Sequence, residues 1–337
     1  MAECPNSSIP SSCTQENNTT LSSADVQNLL AVHIFLLLIS IAAVILNTTS
    51  IISLMVTSAI LRLFKILLVN LLVADLLATM AVILSTAAST VLLSNPVEEP
   101  PLEVCKAITF LFPLGIAARM GSLTAYSVTT FLVIKHGVKK LKTYYAILAV
   151  VAVWMIAIVL AADRLIPQAA GVRYLNNAFC IPFSDDGVVI IQLRITFRVI
   201  WNVFGGVVPL LLSSVLPIIS LCYVRKVTIT GNPQYTKALT KLALFLMLSE
   251  LFTFLSMLFT TALPFLSQAS LIDANGTVYT GVFLLTASII PTPILILTFV
   301  KTVRTSTSRL LTCGSNCKSC FQTQAKSELE MLAYNAV

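Results

Sequence analysis

Residues 105–142 read CKAITFLFPLGIAARMGSLTAYSVTTFLVIKHGVKKLK, and this stretch decides how the rest of the chain can fold. About thirty mostly apolar residues run from a cysteine to a lysine-rich cluster, which is typical of a helix that crosses a membrane. Arg119 lies near the middle, and polar residues recur on one helical face at Ser122, Tyr126 and Thr130. A polar stripe on a membrane helix usually faces protein rather than lipid. The stretch therefore predicts a helix packed among partner helices.

The composition of the whole chain is that of a membrane protein. Of its 337 residues, 57% are hydrophobic and 10% are charged, whereas a soluble globular chain carries about 25% charged residues. A transmembrane helix needs about 20 apolar residues, and the sequence supplies seven such stretches. They lie at 29–56, 64–93, 103–135, 144–166, 197–225, 240–266 and 277–300. The polar N-terminus predicts no cleavable signal peptide.

The basic residues are distributed unevenly between the segments that join these stretches. If the N-terminus is outside, fifteen of the 21 Lys and Arg residues fall on the inner side. This positive-inside bias predicts an extracellular N-terminus and a cytoplasmic C-terminus. The net charge of +7 then reflects contact with inner-leaflet lipid rather than with nucleic acid. Four glycosylation sequons fall outside in the same topology, at Asn6, Asn17, Asn18 and Asn275.

This topology divides the chain into three parts: a glycosylated extracellular leader at 1–28, a seven-transmembrane bundle at 29–302, and a cytoplasmic part at 303–337. The cytoplasmic part begins with a short amphipathic helix on the inner surface. Its cysteines are flanked by basic residues, which suits S-palmitoylation, with plain reduced thiols as the alternative. They are Cys313, Cys317 and Cys320. Cys105 and Cys180 both lie on the oxidising side, which favours a disulfide between them.

Seven helices with these features resemble a rhodopsin-like (class A) G-protein-coupled receptor over about residues 29–312. The most specific match is NLLVAD at 70–75, which is similar to the LAxAD motif of helix two. Further positions match single family residues: Asn47 in helix one, Trp154 in helix four, Tyr223 in helix five, Pro293 in helix seven, and the Cys105–Cys180 disulfide. The resemblance implies an all-α seven-helix receptor in the plasma membrane. It also implies an extracellular or lipid-borne ligand, with a heterotrimeric G protein or arrestin as the cytoplasmic partner.

Three switch motifs depart from the family pattern. Thr129, Thr130 and Phe131 stand where the family has Asp-Arg-Tyr at the inner end of helix three. The helix-six CWxP motif is replaced by residues 253–256, and the helix-seven NPxxY motif keeps only its proline, as Thr292-Pro293. Since the missing arginine is the family's contact with the G protein, atypical coupling is expected.

Three ionisable residues are predicted at one depth in the membrane. From the helical rise, Asp75, Arg119 and Glu250 each lie about 15 Å from the inner edge. In the resembled family a sodium ion sits beside the helix-two Asp, and Arg119 occupies the neighbouring helix-three position. We therefore predict that Arg119 replaces the ion as the counter-charge of Asp75, with Glu250 as a second partner. Asn47 and Ser288 complete this predicted cluster; snorkelling of Arg119, or pairing with Glu250 alone, is the alternative.

The sequence disfavours two classes of ligand. Phe112 stands where aminergic receptors carry an Asp, and Thr286 stands where opsins carry the Schiff-base lysine. The candidate pocket residues are Phe112, Arg194, Arg198 and Phe254, although the two arginines also suit a role as headgroup anchors. Three other classes of protein are alternatives to a signalling receptor. A decoy or trafficking seven-helix protein is favoured by Thr130 at the arginine position, and a transporter is disfavoured because the sequence lacks repeats. An enzyme is the third alternative. No catalytic, metal or cofactor motif is found, so none is predicted.

Overall fold

Seven helical stretches in the structure are long and apolar enough to cross a membrane. The structure is a computed structural model that describes residues 23–57, 62–94, 102–136, 142–162, 171–175, 179–183, 199–226, 233–259 and 274–299. The predicted seven-helix bundle is confirmed. Its helices are α1 (Ser23–Val56), α2 (Arg62–Ser94), α3 (Leu102–His136), α4 (Thr143–Ala161), α5 (Val208–Lys226), α6 (Pro233–Met257), α7 (Ala274–Ile289) and α8 (Pro291–Phe299). The seventh span consists of α7 and α8 together.

Some helices begin earlier than the predicted spans because polar residues extend them, and the fifth span (Val199–Cys222) contains a π-helix at Val203–Val207 that leads into α5. The first helix begins at Ser23 rather than 29, and α6 begins at Pro233 rather than 240. Proline suits a first helical position because its missing N–H would have no partner there. A hairpin of β1 (Gly171–Leu175) and β2 (Phe179–Phe183) is an addition that the sequence did not predict. The predicted amphipathic helix after the seventh span lies outside the described residues.

The break between α7 and α8 has a local cause in the sequence. Pro291 and Pro293 lack the N–H groups that would continue the hydrogen bonds of α7. The chain therefore turns at Ile290, whose N–H still bonds the carbonyl of Thr286 at 3.4 Å, and restarts as α8. The last carbonyls of a helix have no partner within that helix. The break thus leaves the carbonyl of Ser288 free to accept hydrogen bonds from other helices.

The third helix is the centre of the bundle. It packs against α2, α4, α5 and α6, while α6 also packs against α7 and α8. Buried apolar side chains form two clusters along the bundle. One includes Ala74, Ala78 and Met120, and the other includes Leu71 and Leu123. Asp75 and Arg119 lie where the two clusters meet, so their charges are enclosed by protein from both ends.

Candidate functional site

The guanidinium of Arg119 is the most heavily hydrogen-bonded buried group that the structure describes. Arg119 is fully buried, although it carries a charge. Its Nη1 donates to Oδ1 of Asp75 in α2, and its Nε donates to Oγ1 of Thr253 in α6 at 2.9 Å. Its Nη2 donates to the carbonyl of Ser288 in α7 at 2.7 Å, to Oγ1 of Thr292 in α8 at 3.1 Å, and to Oγ of Ser249 in α6. One side chain thus joins the second, third, sixth and seventh spans.

Helical spacing explains how these partners converge. Ser249 and Thr253 are four residues apart in α6, so both face the same way. The single hydroxyl proton of Thr253 is shared between the carbonyl of Ser249 and Oγ of Ser288, each 3.0 Å from Oγ1. Oγ of Ser249 donates to the carbonyl of Ser288 at 2.6 Å. The carbonyl released by the α7 break therefore accepts from both Arg119 and Ser249. We call Arg119 and its five partners, Asp75, Ser249, Thr253, Ser288 and Thr292, the Arg119 cluster.

An arginine suits this position for two physical reasons. The guanidinium keeps its charge in a protein and presents a planar fork of N–H donors. Burying a charge is costly unless an opposite charge and further hydrogen bonds compensate for the lost water. Here Asp75, which is also fully buried, supplies the opposite charge, and hydroxyl and carbonyl oxygens supply the rest. The arrangement places a fixed cation, held by protein atoms, beside the carboxylate of α2.

Two residues of the predicted cluster are not hydrogen-bonded to Arg119. Glu250 is fully buried, but the described residues show no ion pair between it and Arg119. Its carboxyl lies beside Ser213 of α5 instead. Asn47 is also fully buried, and its amide donates to the carbonyl of Ala43 in its own helix at 2.9 Å. The structure therefore brings together Asp75, Arg119 and Ser288, and leaves Asn47 and Glu250 outside that hydrogen-bond network.

Sequence reasoning missed part of the cluster. Thr253 and Thr292 were singled out only as altered motif positions, and Ser249 was not singled out at all. A sequence signal does exist, because Ser249 and Thr253 are four residues apart, as are Ser288 and Thr292. Polar pairs with this spacing on two apolar helices indicate faces turned away from lipid.

Two of the three altered switch positions of helix three, Thr129 and Thr130, are buried, and Phe131 is partly exposed. Thr130 is 1% exposed, and its hydroxyl donates to the carbonyl of Tyr126 at 2.8 Å. Thr129 is also buried, and the Nζ of Lys135 lies 5.8 Å from the centre of the Phe131 ring. Pro293 lies in the first turn of α8. Tyr223 lies within α5, but its side chain is outside the described residues.

The candidate ligand-pocket residues are only partly described. Phe112 of α3 and Phe254 of α6 are partly buried and pack against the same apolar cluster. Arg194 and Arg198 lie outside the described residues. No group of three metal-binding side chains occurs among the residues that the structure describes.

The structure describes the side chain of one of the two cysteines in the predicted disulfide. Cys105 is fully buried at the start of α3 and is disulfide-bonded. Cys180 lies in β2, which packs against α3, but its side chain is outside the described residues. Asn275 lies in the first turn of α7. The other predicted modification sites, Asn6, Asn17, Asn18, Cys313, Cys317 and Cys320, lie outside the described residues.

A second polar network links α2, α3 and α4. The indole N–H of Trp154 donates to Oδ1 of Asn70 at 2.8 Å. Nδ2 of Asn70 donates to Oγ of Ser122 at 2.7 Å, and Ser122 donates to the carbonyl of Ala118 at 2.6 Å. Because Ala118 precedes Arg119 in the chain, this network fixes the turn of α3 that carries the arginine.

Trp154→Phe is expected to destabilise the bundle by about 1–3 kcal/mol, because it leaves the buried carbonyl of Asn70 without its donor. Thermal unfolding of the purified protein measures this loss. A double-mutant cycle with Asn70→Leu should show that the two substitutions are coupled, since both remove the same hydrogen bond. Additive effects of the two substitutions would show that this hydrogen bond contributes nothing.

Comparison with known proteins gives the class to which this architecture belongs. The family model for the seven-transmembrane receptors of the rhodopsin family matches residues 46–335. The chain belongs to that family, and it is a multi-pass membrane receptor of the rhodopsin-like G-protein-coupled type. A search of curated proteins found no match.

Proposed function

We propose that this receptor lies in the plasma membrane with its N-terminus outside and transmits the binding of an extracellular or lipid-borne ligand through the Arg119 cluster. The observation that carries the proposal is that one buried side chain of the third span is hydrogen-bonded to three other spans, the second, sixth and seventh. Signalling by a helical bundle requires some helices to shift against others. A shift of α6 away from α3 must break the hydrogen bonds from Arg119 to Ser249 and Thr253. The cluster therefore sets how readily the bundle changes shape.

The placement of each segment outside or inside the cell follows from the predicted topology. We place the leader at 1–28 and the Cys105–Cys180 disulfide outside, and the tail at 303–337 in the cytoplasm beside anionic lipid. The disulfide would join the start of α3 to β2, a segment between α4 and α5. A ligand between the helices would contact Phe112 and Phe254, with Arg194 and Arg198 available for an anionic group.

Coupling to a G protein is proposed to be atypical, because helix three offers no cation at the family's arginine position. The Thr130 hydroxyl is buried and bonded to its own helix, so it presents no donor to a cytoplasmic partner. A hydrogen bond from a charged group typically contributes about 1.5–3 kcal/mol, which corresponds to tenfold or more in an equilibrium constant. Losing that contact favours a receptor with weak agonist-independent coupling.

Thr130→Arg is therefore expected to raise agonist-independent nucleotide exchange on a co-expressed heterotrimeric G protein by about tenfold or more over the native chain. The matched control is Thr129→Arg, which adds the same charge about 100° around the helix. We expect the control to leave exchange at the native level. Equal rates of nucleotide exchange for Thr130→Arg and Thr129→Arg would show that the added charge, rather than its position on helix three, raises exchange.

The second candidate function is a decoy or trafficking protein that binds ligand without activating a G protein. The same buried Thr130 favours it. Robust nucleotide exchange by the native chain would exclude the decoy. Failure of both the native chain and Thr130→Arg, with normal amounts of protein at the cell surface, would support it.

A further inference from the structure

Glu250 is a buried carboxyl group that the Arg119 cluster does not use. It is fully buried in α6, next in sequence to Ser249 of that cluster. Neither of its oxygens has a hydrogen-bond partner among the residues that the structure describes. Ser213 of α5 lies beside the carboxyl, and its hydroxyl donates to the carbonyl of Leu210 at 3.1 Å. An ionised carboxylate in such a place would be shielded from bulk water and would have no ion pair among the described residues.

The buried charges do not balance if every group is ionised. Among the side chains that the structure describes, Arg119 is the cation that acts on Glu250, and its ion pair is with Asp75. The side chains of α5, α7 and α8 that the structure describes include no Asp, Glu, Lys, Arg or His. Arg225 and Lys226 are the last two residues of α5, more than three helical turns from Ser213. The other charged residues of α3, which also packs against α6, lie near its two ends. Lys241 is on the same helix as Glu250, but nine residues away, or about 14 Å along the axis. One positive charge would therefore face two negative ones.

Two states of Glu250 remove this excess negative charge: a bound cation or a bound proton. A sodium or larger ion requires several oxygen ligands, whereas the described surroundings of Glu250 offer its own carboxyl and the hydroxyl of Ser213. A proton needs only one carboxyl oxygen. Burying an ionised carboxylate without compensation costs several kcal/mol, so the group takes up a proton instead.

We propose that Glu250 is a proton-binding site at the contact of α6 with α3 and α5. While these helices are packed, Glu250 is a neutral carboxylic acid. When α6 separates from α5 and water enters, the O–H bond breaks and the proton passes to water. Proton binding and helix packing are then thermodynamically linked, so a ligand that loosens α6 releases a proton, and acid pH favours the packed state.

The sign of the pH dependence follows from proton counting. When unfolding separates α6 from α5 and lets water in, Glu250 loses its proton at acid pH, as an ordinary glutamate does. At higher pH the folded state therefore binds one proton more than the unfolded state, and stability falls as pH rises. Glu250→Gln has the shape of the neutral acid and no proton to lose. The quantity to compare is the ratio of folded to unfolded protein in the native chain and in Glu250→Gln. As pH rises, the native ratio should fall relative to that of the variant by up to about tenfold per pH unit.

The first experiment is infrared spectroscopy of the purified receptor in lipid nanodiscs. The native protein should show the carbonyl stretching band of a protonated carboxylic acid, and Glu250→Gln should lose it. Thermal unfolding from about pH 5 to about pH 9 should show the pH-dependent difference between the two proteins. A missing band, or a band that Glu250→Gln retains, overturns the proposal.

A second pair of variants keeps the test decisive if Glu250→Gln does not fold. Ser213→Ala removes the hydroxyl beside Glu250 and should shift the carboxylic acid band. Ser214→Ala is the matched control, because Ser213 and Ser214 both donate to the carbonyl of Leu210. A band that Ser213→Ala leaves unmoved contradicts the proposal, as does unfolding that depends on sodium concentration at constant ionic strength. None of these measurements requires signalling, so their failure is separate from a failure of the proposed function.

Discussion

Replacing Arg119 with alanine is expected to destabilise the bundle by about 3–5 kcal/mol, because the substitution leaves the fully buried carboxylate of Asp75 without its counter-charge. It also removes every hydrogen bond between α3 and the hydroxyl groups of Ser249, Thr253 and Thr292. A loss of this size is a large fraction of the about 5–15 kcal/mol that stabilises a typical native protein. We expect little Arg119→Ala protein at the cell surface, measured by flow cytometry with an N-terminal epitope, and a clearly lower unfolding temperature after purification.

The second-site substitution Asp75→Asn tests whether the ion pair causes this loss. Asparagine has the shape of aspartate but no charge, so Asp75→Asn together with Arg119→Ala removes both charges at once. We expect the double variant to recover part of the lost surface expression, because it no longer buries an uncompensated carboxylate. If it is no better than Arg119→Ala alone, the Asp75 pairing does not explain the loss.

Arg119→Lys separates the charge of the residue from its geometry. Lysine keeps the positive charge, but its donors radiate from one atom and cannot copy the planar fork of arginine. It should retain the contact with Asp75 and lose some of the contacts with α6, α7 and α8. An intermediate unfolding temperature is expected. A temperature equal to that of the native chain would show that the hydrogen bonds to the sixth and seventh spans contribute little.

The depth of Asp75 and Arg119 could be predicted from sequence because helical rise is regular and buried charges need partners. The seven spans followed from the same apolar runs. From the sequence, Ser288 could be predicted only as a residue that lies near Asp75 and Arg119. Its role depends on a main-chain carbonyl that becomes available because Pro291 and Pro293 interrupt the seventh span. A motif search based on side chains does not detect a main-chain carbonyl.

Glu250 and Asn47 were predicted to belong to the Arg119 cluster, but neither is hydrogen-bonded to it. Both lie at the right depth by helical rise, yet depth does not fix the direction in which a side chain points around its helix. Glu250 is directed to α5, and the amide of Asn47 bonds its own helix. The sequence could indicate that these groups are buried in the bundle, but the rotation of each helix decided which of them meet.

Gly115→Ala is expected to destabilise the bundle by about 1–3 kcal/mol or more, because α2 and α3 touch through their main chains at this glycine. A Cβ atom at Gly115 would lie 2.8 Å from both the Cα and the N of Ala78, and 3.0 Å from its Cβ. Main-chain atoms cannot rotate away as a side chain can, so the two helices must separate. Asp75 lies one turn from Ala78, and Arg119 lies one turn from Gly115. The separation therefore acts directly on the ion pair.

Gly121→Ala is the matched control for this substitution, since it adds the same methyl group to the same helix. At Gly121 the nearest atoms to a new Cβ belong to the side chain of Val153, at 3.0 and 3.2 Å. That side chain can yield by a small movement of α4, and alanine favours the helix by up to about 1 kcal/mol over glycine. We therefore expect Gly121→Ala to change the unfolding temperature little, and Gly115→Ala to lower it by several degrees.

Adding Ala78→Gly to Gly115→Ala shows which atoms cause the loss. The double variant removes the Ala78 methyl group but leaves its Cα and N, which are the closest atoms to the new Cβ. Stability should therefore stay low in the double variant. Full recovery would mean that the two methyl groups alone collide and that the main chains can keep their distance. In that case Gly115 would be dispensable for holding Asp75 against Arg119, and the position of the ion pair would depend on the polar contacts of Arg119 alone.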